Sequence, residues 1–179
     1  MVLITISGLP GSGKTTVARL VADALALEHV YAGNVFREQA RAHGVSLEEY
    51  VRRAETDPSI DRDLDRRMCE RAARGQAVLE GRLAAFAADQ AGVPALKVFL
   101  DAAEGIRAER IRQREGGARG DRLRDIQARE ASDRRRYQEL YGVDYHAHER
   151  YDLVLDTAER TPRDIADTIV REARRRFAR

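Results

Sequence analysis

The sequence lacks most features of secreted or membrane-embedded proteins. Its single cysteine, Cys69, has no partner for an internal disulfide, which excludes a disulfide-stapled secreted module and favours a reducing cytoplasm. No apolar run approaches the roughly 18 residues that a membrane span requires. The opening segment MVLITISG has neither the basic start nor the cleavage site of a signal peptide. Repeats and low-complexity tracts are also absent, and we expect a cytoplasmic protein without a membrane partner.

Lysine is almost absent as well. Lys14 and Lys97 are the only lysines among 32 cationic side chains, and the other 30 are arginine. The net charge is only +2 at pH 7, which argues against a dedicated nucleic-acid clamp. We interpret most arginines as compositional bias on solvated helix faces. The functional question is which arginines serve another purpose, and why a lysine persists at position 14.

The length and the hydrophobic pattern predict one α/β domain. The 179 residues, 43% of them hydrophobic, suffice for a single domain with a sizeable core. Short apolar runs predict strands at residues 2–7, 28–31, 77–80, 95–100 and 151–155. Helical spacing and end signals predict helices at residues 15–26, 34–42, 46–55, 60–74, 103–114 and 123–141, and from 162 onward, with a glycine loop at 116–121. This alternation predicts a three-layer fold with a mostly parallel, five-stranded sheet and a ligand crevice at the carboxyl ends of its strands.

One segment carries a complete phosphate-binding pattern, G-x-x-x-x-G-K-[ST]. It consists of Gly8, Leu9, Pro10, Gly11, Ser12, Gly13, Lys14 and Thr15, and Thr16 completes the predicted ATP-binding segment. Glycines let backbone N–H groups curl around a polyphosphate, and the following helix directs its positive dipole end at the same anion. Lys14 reaches the β- and γ-phosphates as a compact charge, and Thr15 offers its hydroxyl to Mg²⁺. The predicted strand before the segment and helix after it supply the required context.

This motif predicts nucleotide binding but leaves the reaction open. A switch GTPase of this size would show a base-reading N-K-x-D segment, which this sequence lacks. A large ATPase would need a longer chain. A kinase for a nucleotide or another small molecule therefore remains.

Five segments in order resemble the nucleoside monophosphate kinases of the adenylate-kinase-like group, most closely the short cytidylate kinases of archaea. They are ITISGLPGSGKTTVARL, LEHVYAGNVFRE, DPSIDRDLDRR, VLEGRLA and RYQELYGVD…YDLVLDT. The resemblance covers nearly the whole chain and implies transfer of the ATP γ-phosphoryl group to CMP or dCMP with Mg²⁺. It implies a monomeric P-loop kinase domain over 1–179, with a core at 1–31, 75–113 and 142–179. An acceptor-binding segment is expected at about 32–74 and a lid at about 114–141.

The resemblance also implies an acceptor site. Arg37, preceded by Gly33 and Phe36, corresponds to a residue that binds the monophosphate, and Arg82 corresponds to a second such contact. Glu80 ends a buried strand and resembles the acid that orients water around Mg²⁺. Bidentate binding of phosphate oxygens suits the planar guanidinium of arginine.

The base-reading residue departs from the pattern of the longer bacterial enzymes. The bacterial enzymes have the sequence G-R-D at this point, whereas this chain has Leu83 in place of the aspartate after Arg82. Another acid must then meet the exocyclic amine of cytosine. Asp61 and Asp65 lie at i and i+4 on one predicted helix face and are the candidate acids, and Arg66 beside them is a further candidate for binding the acceptor. The alternative is a salt-bridged solvent face.

Arginines concentrate in the predicted lid. Eleven arginines stand against six acids between positions 107 and 136. One helix face before the glycine loop carries arginines at i, i+3 and i+7, and the helix after the loop repeats a charged face at i, i+4 and i+7. These two sets are Arg107, Arg110 and Arg114, and then Arg129, Asp133 and Arg136.

Within this lid the resemblance assigns roles to four arginines. Arg110 corresponds to the residue that stacks on the ATP adenine. Arg114, Arg129 and Arg136 correspond to phosphate clamps that arrive on closure and, with Lys14, stabilise the transferring group. Phosphoryl transfer requires such positioning and charge neutralisation rather than covalent help.

Three other interpretations stay open. The acceptor could be AMP, UMP, shikimate or a cofactor precursor. The basic lid could instead bind RNA on a kinase scaffold that lacks activity, although few aromatic residues are interleaved there to stack bases. The H-x-H pair His146 and His148 is interpreted as a surface turn, because no third metal ligand is nearby in the sequence.

Overall fold

Five parallel strands form the centre of the computed structural model, which describes residues 1–178 apart from the side chain of Glu48. The strands are β1 (Leu3–Gly8), β2 (Glu28–Tyr31), β3 (Ala77–Glu80), β4 (Leu96–Asp101) and β5 (Leu153–Asp156). Their order across the sheet is β2-β3-β1-β4-β5, and every neighbouring pair is parallel. The predicted five-stranded parallel sheet is confirmed, with strand limits within two residues of those expected.

Helices cover both faces of this sheet. They are α1 (Lys14–Leu25), α2 (Ala32–Ala42), α3 (Leu47–Ala54), α4 (Pro58–Arg74), α5 (Ala84–Gln90), α6 (Glu104–Glu115), α7 (Arg119–Tyr141) and α8 (Pro162–Phe177), with a 3₁₀ turn at His148–Arg150. Helices α1 and α8 pack on one face, and α4 and α5 pack on the other. The three-layer α/β architecture is therefore confirmed.

Strand β1 shows why both faces are covered. Ile4 and Ile6 pack against Val17 of α1 and Ile165 of α8. Leu3 points to the opposite side and packs with the α4 and α5 layer. Successive strand residues face opposite sides, so a strand that is apolar at both sets of positions must be buried on both.

Helix α5 was not expected from the sequence. Four of its seven residues are buried alanines, and its two exposed polar residues, Asp89 and Gln90, are consecutive at its end. Such a segment lacks the 3.6-residue alternation that identifies an amphipathic helix. Its helical state depends on packing against α4 and β1.

Three predicted helix starts were too late. Helix α2 begins at Ala32, two residues before the predicted start. Helix α4 begins at Pro58, where the missing N–H is tolerated, and the Asp57 side chain caps it by accepting from the Ser59 N–H at 2.9 Å. Helix α7 begins at Arg119, so the glycine loop is shorter than expected. The capping box predicted from Ser46 holds in part, since the Ser46 side chain accepts from the Glu49 N–H.

The fold directs the ends of three strands to one edge of the sheet. Gly8, Glu80 and Asp101 end β1, β3 and β4 there. Helices α2 to α4 lie between β2 and β3, and α6 and α7 form a hairpin between β4 and β5. The division into core, acceptor-binding segment and lid stays a prediction. No helix among the described residues is long and apolar enough to cross a membrane.

Candidate active site

The phosphate-binding loop joins β1 to α1 and is built by its glycines. Gly8 has a φ of +145°, and a Cβ there would lie 2.3 Å from the Leu100 carbonyl oxygen. Gly11 has a φ of +80°, and a Cβ there would lie 2.7 Å from the Arg107 carbonyl oxygen. At both positions a side chain is excluded for two reasons: the backbone conformation is unfavourable for other residues, and a Cβ would collide with a neighbouring carbonyl oxygen. The loop can therefore take this path only with glycine.

Lys14 begins α1 and reaches back across the loop. Its Nζ donates to the Leu9 carbonyl oxygen at 2.7 Å. Burial lowers the pKa of Lys14 to about 7, and the positive charge of Arg82 adds to the effect. The ammonium form is therefore less favoured here than in an exposed lysine. A bound phosphate would compensate the charge, as the predicted role of Lys14 requires.

Thr157 follows β5 and braces the loop from outside the motif. The Thr157 hydroxyl donates to the Ser12 carbonyl oxygen at 3.1 Å. It also accepts from Arg110 Nη1 at 2.8 Å, while Arg110 Nη2 donates to the Thr157 carbonyl oxygen at 2.5 Å. The adenine contact expected of Arg110 stays a prediction, and in this structure its guanidinium lies on Thr157. Sequence reasoning missed Thr157, whose one signal is its position at a strand end.

Arg107 is a buried brace and does not belong to an exposed lid face. Only 2% of it is accessible to solvent. It donates to the Ala102 carbonyl oxygen at 2.8 Å and to the Pro10 carbonyl oxygen at 3.2 Å, and it pairs with Glu130 of α7. It therefore ties the phosphate-binding loop to the returning lid helix.

The other end of the same helix face lies in solvent. The Arg114 side chain is 68% exposed, and the partner found for it among the described residues is its neighbour Glu115. The even i, i+3, i+7 spacing concealed this difference, because α6 runs from the core at Arg107 into water at Arg114. The structure does not bring Arg114 to Lys14, and its predicted role depends on a lid movement.

Glu80 lies beside the loop at the end of β3 and is 1% exposed. Thr15 Oγ1 donates to its Oε1 at 2.6 Å, and His29 Nε2 lies 2.8 Å from its Oε2. The two predicted metal residues are thus brought together, and their oxygen donors suit Mg²⁺. Among the side chains that the structure describes, which exclude Glu48, no three of His, Cys, Asp or Glu could hold a metal together. A cation here would therefore need oxygen ligands from nucleotide phosphates and water.

A chain of ion pairs lies next to this pocket and crosses three elements. Arg82 Nε, just after β3, is 2.7 Å from Asp133 Oδ2 on α7. Asp133 Oδ1 accepts from Arg136 Nη2 at 3.0 Å, and Arg136 Nε is 3.3 Å from Asp61 Oδ2 on α4. Burial alone would lower the pKa of Arg82, but Asp133 reverses the effect and raises it. Burial raises the pKa of Asp61 although Arg136 opposes the shift. Asp133, treated in the sequence only as part of a periodic face, is the centre of this chain.

The remaining acceptor-side candidates of α4 divide between two faces. Asp65 accepts from the Tyr141 hydroxyl at 2.7 Å, and burial raises the pKa of Asp65 to about 6. Arg66 points away, and it pairs with Asp63 and Glu70 on the exposed outer face. The helix thus presents Asp61 and Asp65 to α7, while Arg66 has the salt-bridged solvent position that the sequence left open as the alternative.

The acceptor candidates before α4 also occupy different environments. Arg37 is exposed, donates to Asn34 Oδ1 at 3.1 Å, and has its Cζ 5.7 Å from the centroid of the Tyr31 ring. A Cβ at Gly33 would lie 2.4 Å from Cζ of the same tyrosine. Phe36 packs against Tyr50, with ring centroids 4.9 Å apart, inside the small core formed by α2 to α4. Tyr31 thus packs against two of the predicted acceptor residues.

Arg129 completes a cluster of positive charge. The charge of Arg82 lowers the pKa of Arg129, and desolvation adds to the effect. Arg129 in turn contributes to the lowered pKa of Lys14. Arg82 thus disfavours the charged forms of both Lys14 and Arg129 at the carboxyl ends of the strands. Such an arrangement is stabilised by a polyanion.

The H-x-H pair lies away from this cluster, in the turn that precedes β5. His146 and His148 pack against Phe99, at 6.5 and 5.2 Å between ring centroids. His146 Nδ1 also lies 3.0 Å from Arg134 Nη2.

Sequence comparison identifies curated relatives that cover most of the chain. The sequence model of the cytidylate kinase-like family matches residues 3–159. A cytidylate kinase of Methanopyrus kandleri is 50% identical over 164 residues, covering 88% of this chain and 85% of its own. A cytidylate kinase of Pyrococcus horikoshii is 44% identical over 163 residues, covering 91% and 83%.

Structural comparison agrees on the fold. A shikimate kinase from Acinetobacter baumannii superposes with a TM-score of 0.61 at 18% identity, covering 100% of this chain and 96% of its own. An uncharacterized protein from Eubacterium ventriosum superposes with a TM-score of 0.75 at 15% identity, covering 97% and 98%. At these identities the structural likeness concerns the fold alone.

Proposed function

The chain belongs to the cytidylate kinase-like family, and from this premise we propose that it transfers the γ-phosphoryl group of ATP to CMP, giving ADP and CDP. We propose dCMP as a second acceptor. The observation that carries the proposal is the cluster of Lys14, Arg82 and Arg129 beside a complete phosphate-binding loop, where the charge of Arg82 lowers the pKa of both other cations.

The transfer requires two phosphates to meet in line between these cations. An oxygen of the acceptor phosphate attacks the γ-phosphorus, and the bond from that phosphorus to the β,γ-bridging oxygen breaks, releasing ADP. The acceptor oxygen is already anionic at pH 7, so a general base is not required. We propose that the loop N–H groups and Lys14 hold the β- and γ-phosphates, and that Arg37 and Arg82 hold the acceptor phosphate.

The lid arginines act on the moving group once the lid closes. We assign this role to Arg114, Arg129 and Arg136, whose charges offset the negative charge spread over the γ-phosphoryl oxygens. Arg136 is paired with Asp61 and Asp133 in this structure. A rearrangement of α7 must therefore accompany binding.

The donor site also fits a divalent cation. Thr15 Oγ1 would be a direct ligand and Glu80 would orient the surrounding water, since both oxygens converge at 2.6 Å. When bound, Mg²⁺ supplies charge neutralisation between the β- and γ-phosphates. Asp61 and Asp65 remain our candidates for the exocyclic amine of cytosine, because α4 turns both towards α7.

A coupled assay that measures ADP release with Mg²⁺, ATP and each nucleoside monophosphate tests the proposal. We expect CMP and dCMP to be the preferred acceptors. Lys14→Met should abolish turnover. Lys97→Met is the matched control, because this second lysine pairs with Asp89 on the periphery of the sheet and should leave turnover unchanged.

Two other outcomes would contradict the proposal. Turnover with AMP, UMP or shikimate but not with CMP or dCMP would indicate a kinase for another acceptor. Salt-sensitive RNA binding without ATP turnover would indicate a non-catalytic scaffold. The expected cytoplasmic monomer stays a prediction, and sedimentation velocity would measure the oligomeric state.

A further inference from the structure

Glu80 has a partner that the phosphate-binding motif does not include. We propose that His29 is a positioning residue that holds the Glu80 carboxylate toward Thr15, and that it thereby sets the affinity of the site for the divalent cation that accompanies the nucleotide. This inference rests on the proposed phosphotransferase function and adds a residue to its donor site.

The sheet register brings His29 to Glu80 across a strand boundary. Strands β2 and β3 pair with His29 opposite Val78 and with Tyr31 opposite Glu80. His29 is two residues before Tyr31, so His29 and Glu80 face the same side of the sheet as diagonal neighbours. Val78 packs with Val17 on that side, so this is the face that α1 covers. Thr15, in the first turn of α1, meets the carboxylate from the other direction.

Each oxygen of the carboxylate has its own donor. Thr15 Oγ1 is 2.6 Å from Oε1, and His29 Nε2 is 2.8 Å from Oε2. A carboxylate only accepts hydrogen bonds, so Nε2 carries the proton. Glu80 is 1% exposed, and a carboxylate so deeply buried depends on such donors for its orientation.

The two oxygens of the Glu80 carboxylate therefore have different roles. The His29 contact fixes Oε2 and so prevents the carboxylate from rotating. Oε1 is then left facing Thr15, where the cation and its water are expected. Residues that orient metal ligands from behind typically change metal affinity or activity about 10- to 100-fold when they are replaced.

The test compares His29→Leu, which removes the donor, with His29→Gln, which keeps an N–H near the position of Nε2. The exposed His148→Leu is the matched control. Mn²⁺ binding to the complex with ADP is measured by the electron paramagnetic resonance of free Mn²⁺. The steady-state rate is measured against total Mg²⁺ at fixed ATP and CMP.

We expect His29→Leu to weaken Mn²⁺ binding about 10-fold and to raise the Mg²⁺ requirement by a similar factor. KM for CMP should not change. The Mn²⁺ affinity of His29→Gln should lie within about threefold of the wild-type affinity. The control His148→Leu should have the same Mn²⁺ affinity and Mg²⁺ requirement as the wild type.

A purely structural role predicts another pattern. His29→Leu would then lower the melting temperature and kcat but leave Mn²⁺ affinity and Mg²⁺ requirement unchanged, which would overturn the inference. Failure of His29→Gln to restore Mn²⁺ binding would also overturn it. If the wild type does not phosphorylate CMP and His29→Leu still weakens Mn²⁺ binding with ADP, the acceptor assignment is wrong and the role of His29 stands.

Discussion

Replacement of Arg107 by methionine should destabilise the fold strongly, although the sequence shows this residue only as one of three arginines on a helix face. Its guanidinium is 2% exposed, pairs with Glu130, and donates to the carbonyl oxygens of Pro10 and Ala102. Methionine fills much of the same volume but provides no donor. Arg107→Met therefore leaves one carboxylate and two carbonyl groups without their partner.

The magnitude follows from these three losses. Removing one partner of a buried ion pair costs about 3–5 kcal/mol, and leaving a buried acceptor unsatisfied costs about 1–3 kcal/mol. The Glu130 side chain is 14% exposed and can recover part of its hydration, so the lower values apply. Adding the lower values of the three losses, we expect Arg107→Met to lower the free energy of unfolding by about 5 kcal/mol, which corresponds to a Tm lower by about 10–20 °C for a chain of this size.

Urea and thermal unfolding of four proteins measure this effect: wild type, Arg107→Met, Glu130→Met and the double variant. The double variant should recover about 2 kcal/mol relative to the sum of the single changes, because a buried ion pair can be replaced by apolar side chains at small cost. The control is Arg112→Met on the same helix, whose ion pair with Glu109 is exposed and should be worth under about 1 kcal/mol. Equal effects at positions 107 and 112, with additive behaviour at 107 and 130, would refute the reasoning.

Three further changes test the site. Burial raises the pKa of Asp65 from 3.8 to about 6, so its ionisation lowers the stability of the folded protein as pH rises from about 4 to 6. Asp65→Asn should remove this loss and raise the free energy of unfolding by up to about 3 kcal/mol above pH 6. Unfolding curves recorded across this pH range measure the effect. Asp133→Asn should lower Tm, because it leaves Arg82 without its carboxylate partner. If this carboxylate competes with the acceptor phosphate for Arg82, CMP should raise the Tm of the variant more than that of the wild type in a thermal shift assay. Equal increases in Tm would contradict the competition. Arg114→Ala should lower kcat about 100-fold or more with little change in KM for ATP, because its contact is made only when the lid closes. The control Arg124→Ala, at another exposed position of the predicted lid, should leave kcat and KM unchanged. Equal changes in kcat and KM for Arg114→Ala would indicate that Arg114 binds the ground-state substrate.

Much of the fold could be predicted because its signals are local. The five strands are short apolar runs, and most helices have periodicity or caps that can be read within one segment. Helix α5 could not be found in this way, since an alanine-rich segment with polar residues only at its end has no periodic polar face. The late predicted start of α7 has a related cause, because residues 119–122, with the sequence RGDR, contain no apolar side chain.

Part of the candidate site was also predictable, because some of its residues lie in one continuous segment or at the end of a recognisable strand. The loop from Gly8 to Thr15 and the strand-end residue Glu80 were identified from motif and position. Thr157 and His29, which hold these residues in place, come from β5 and β2, and their relation to the loop appears only once the strands are paired.

The sequence by itself determined that this chain binds phosphates at one loop, because that loop is built from consecutive residues and glycine alone permits its backbone path. The sequence also distinguished Lys14, one of only two lysines, at the motif position that provides a compact charge for the phosphates. Only the tertiary structure decided which arginines have more than a surface role. Arg107, Arg110 and Arg114 share one helical spacing, yet one is a buried brace, one rests on Thr157 and one lies in water. The surroundings of a charged side chain depend on elements distant in the chain, and its burial and partners, not its spacing, set its energy.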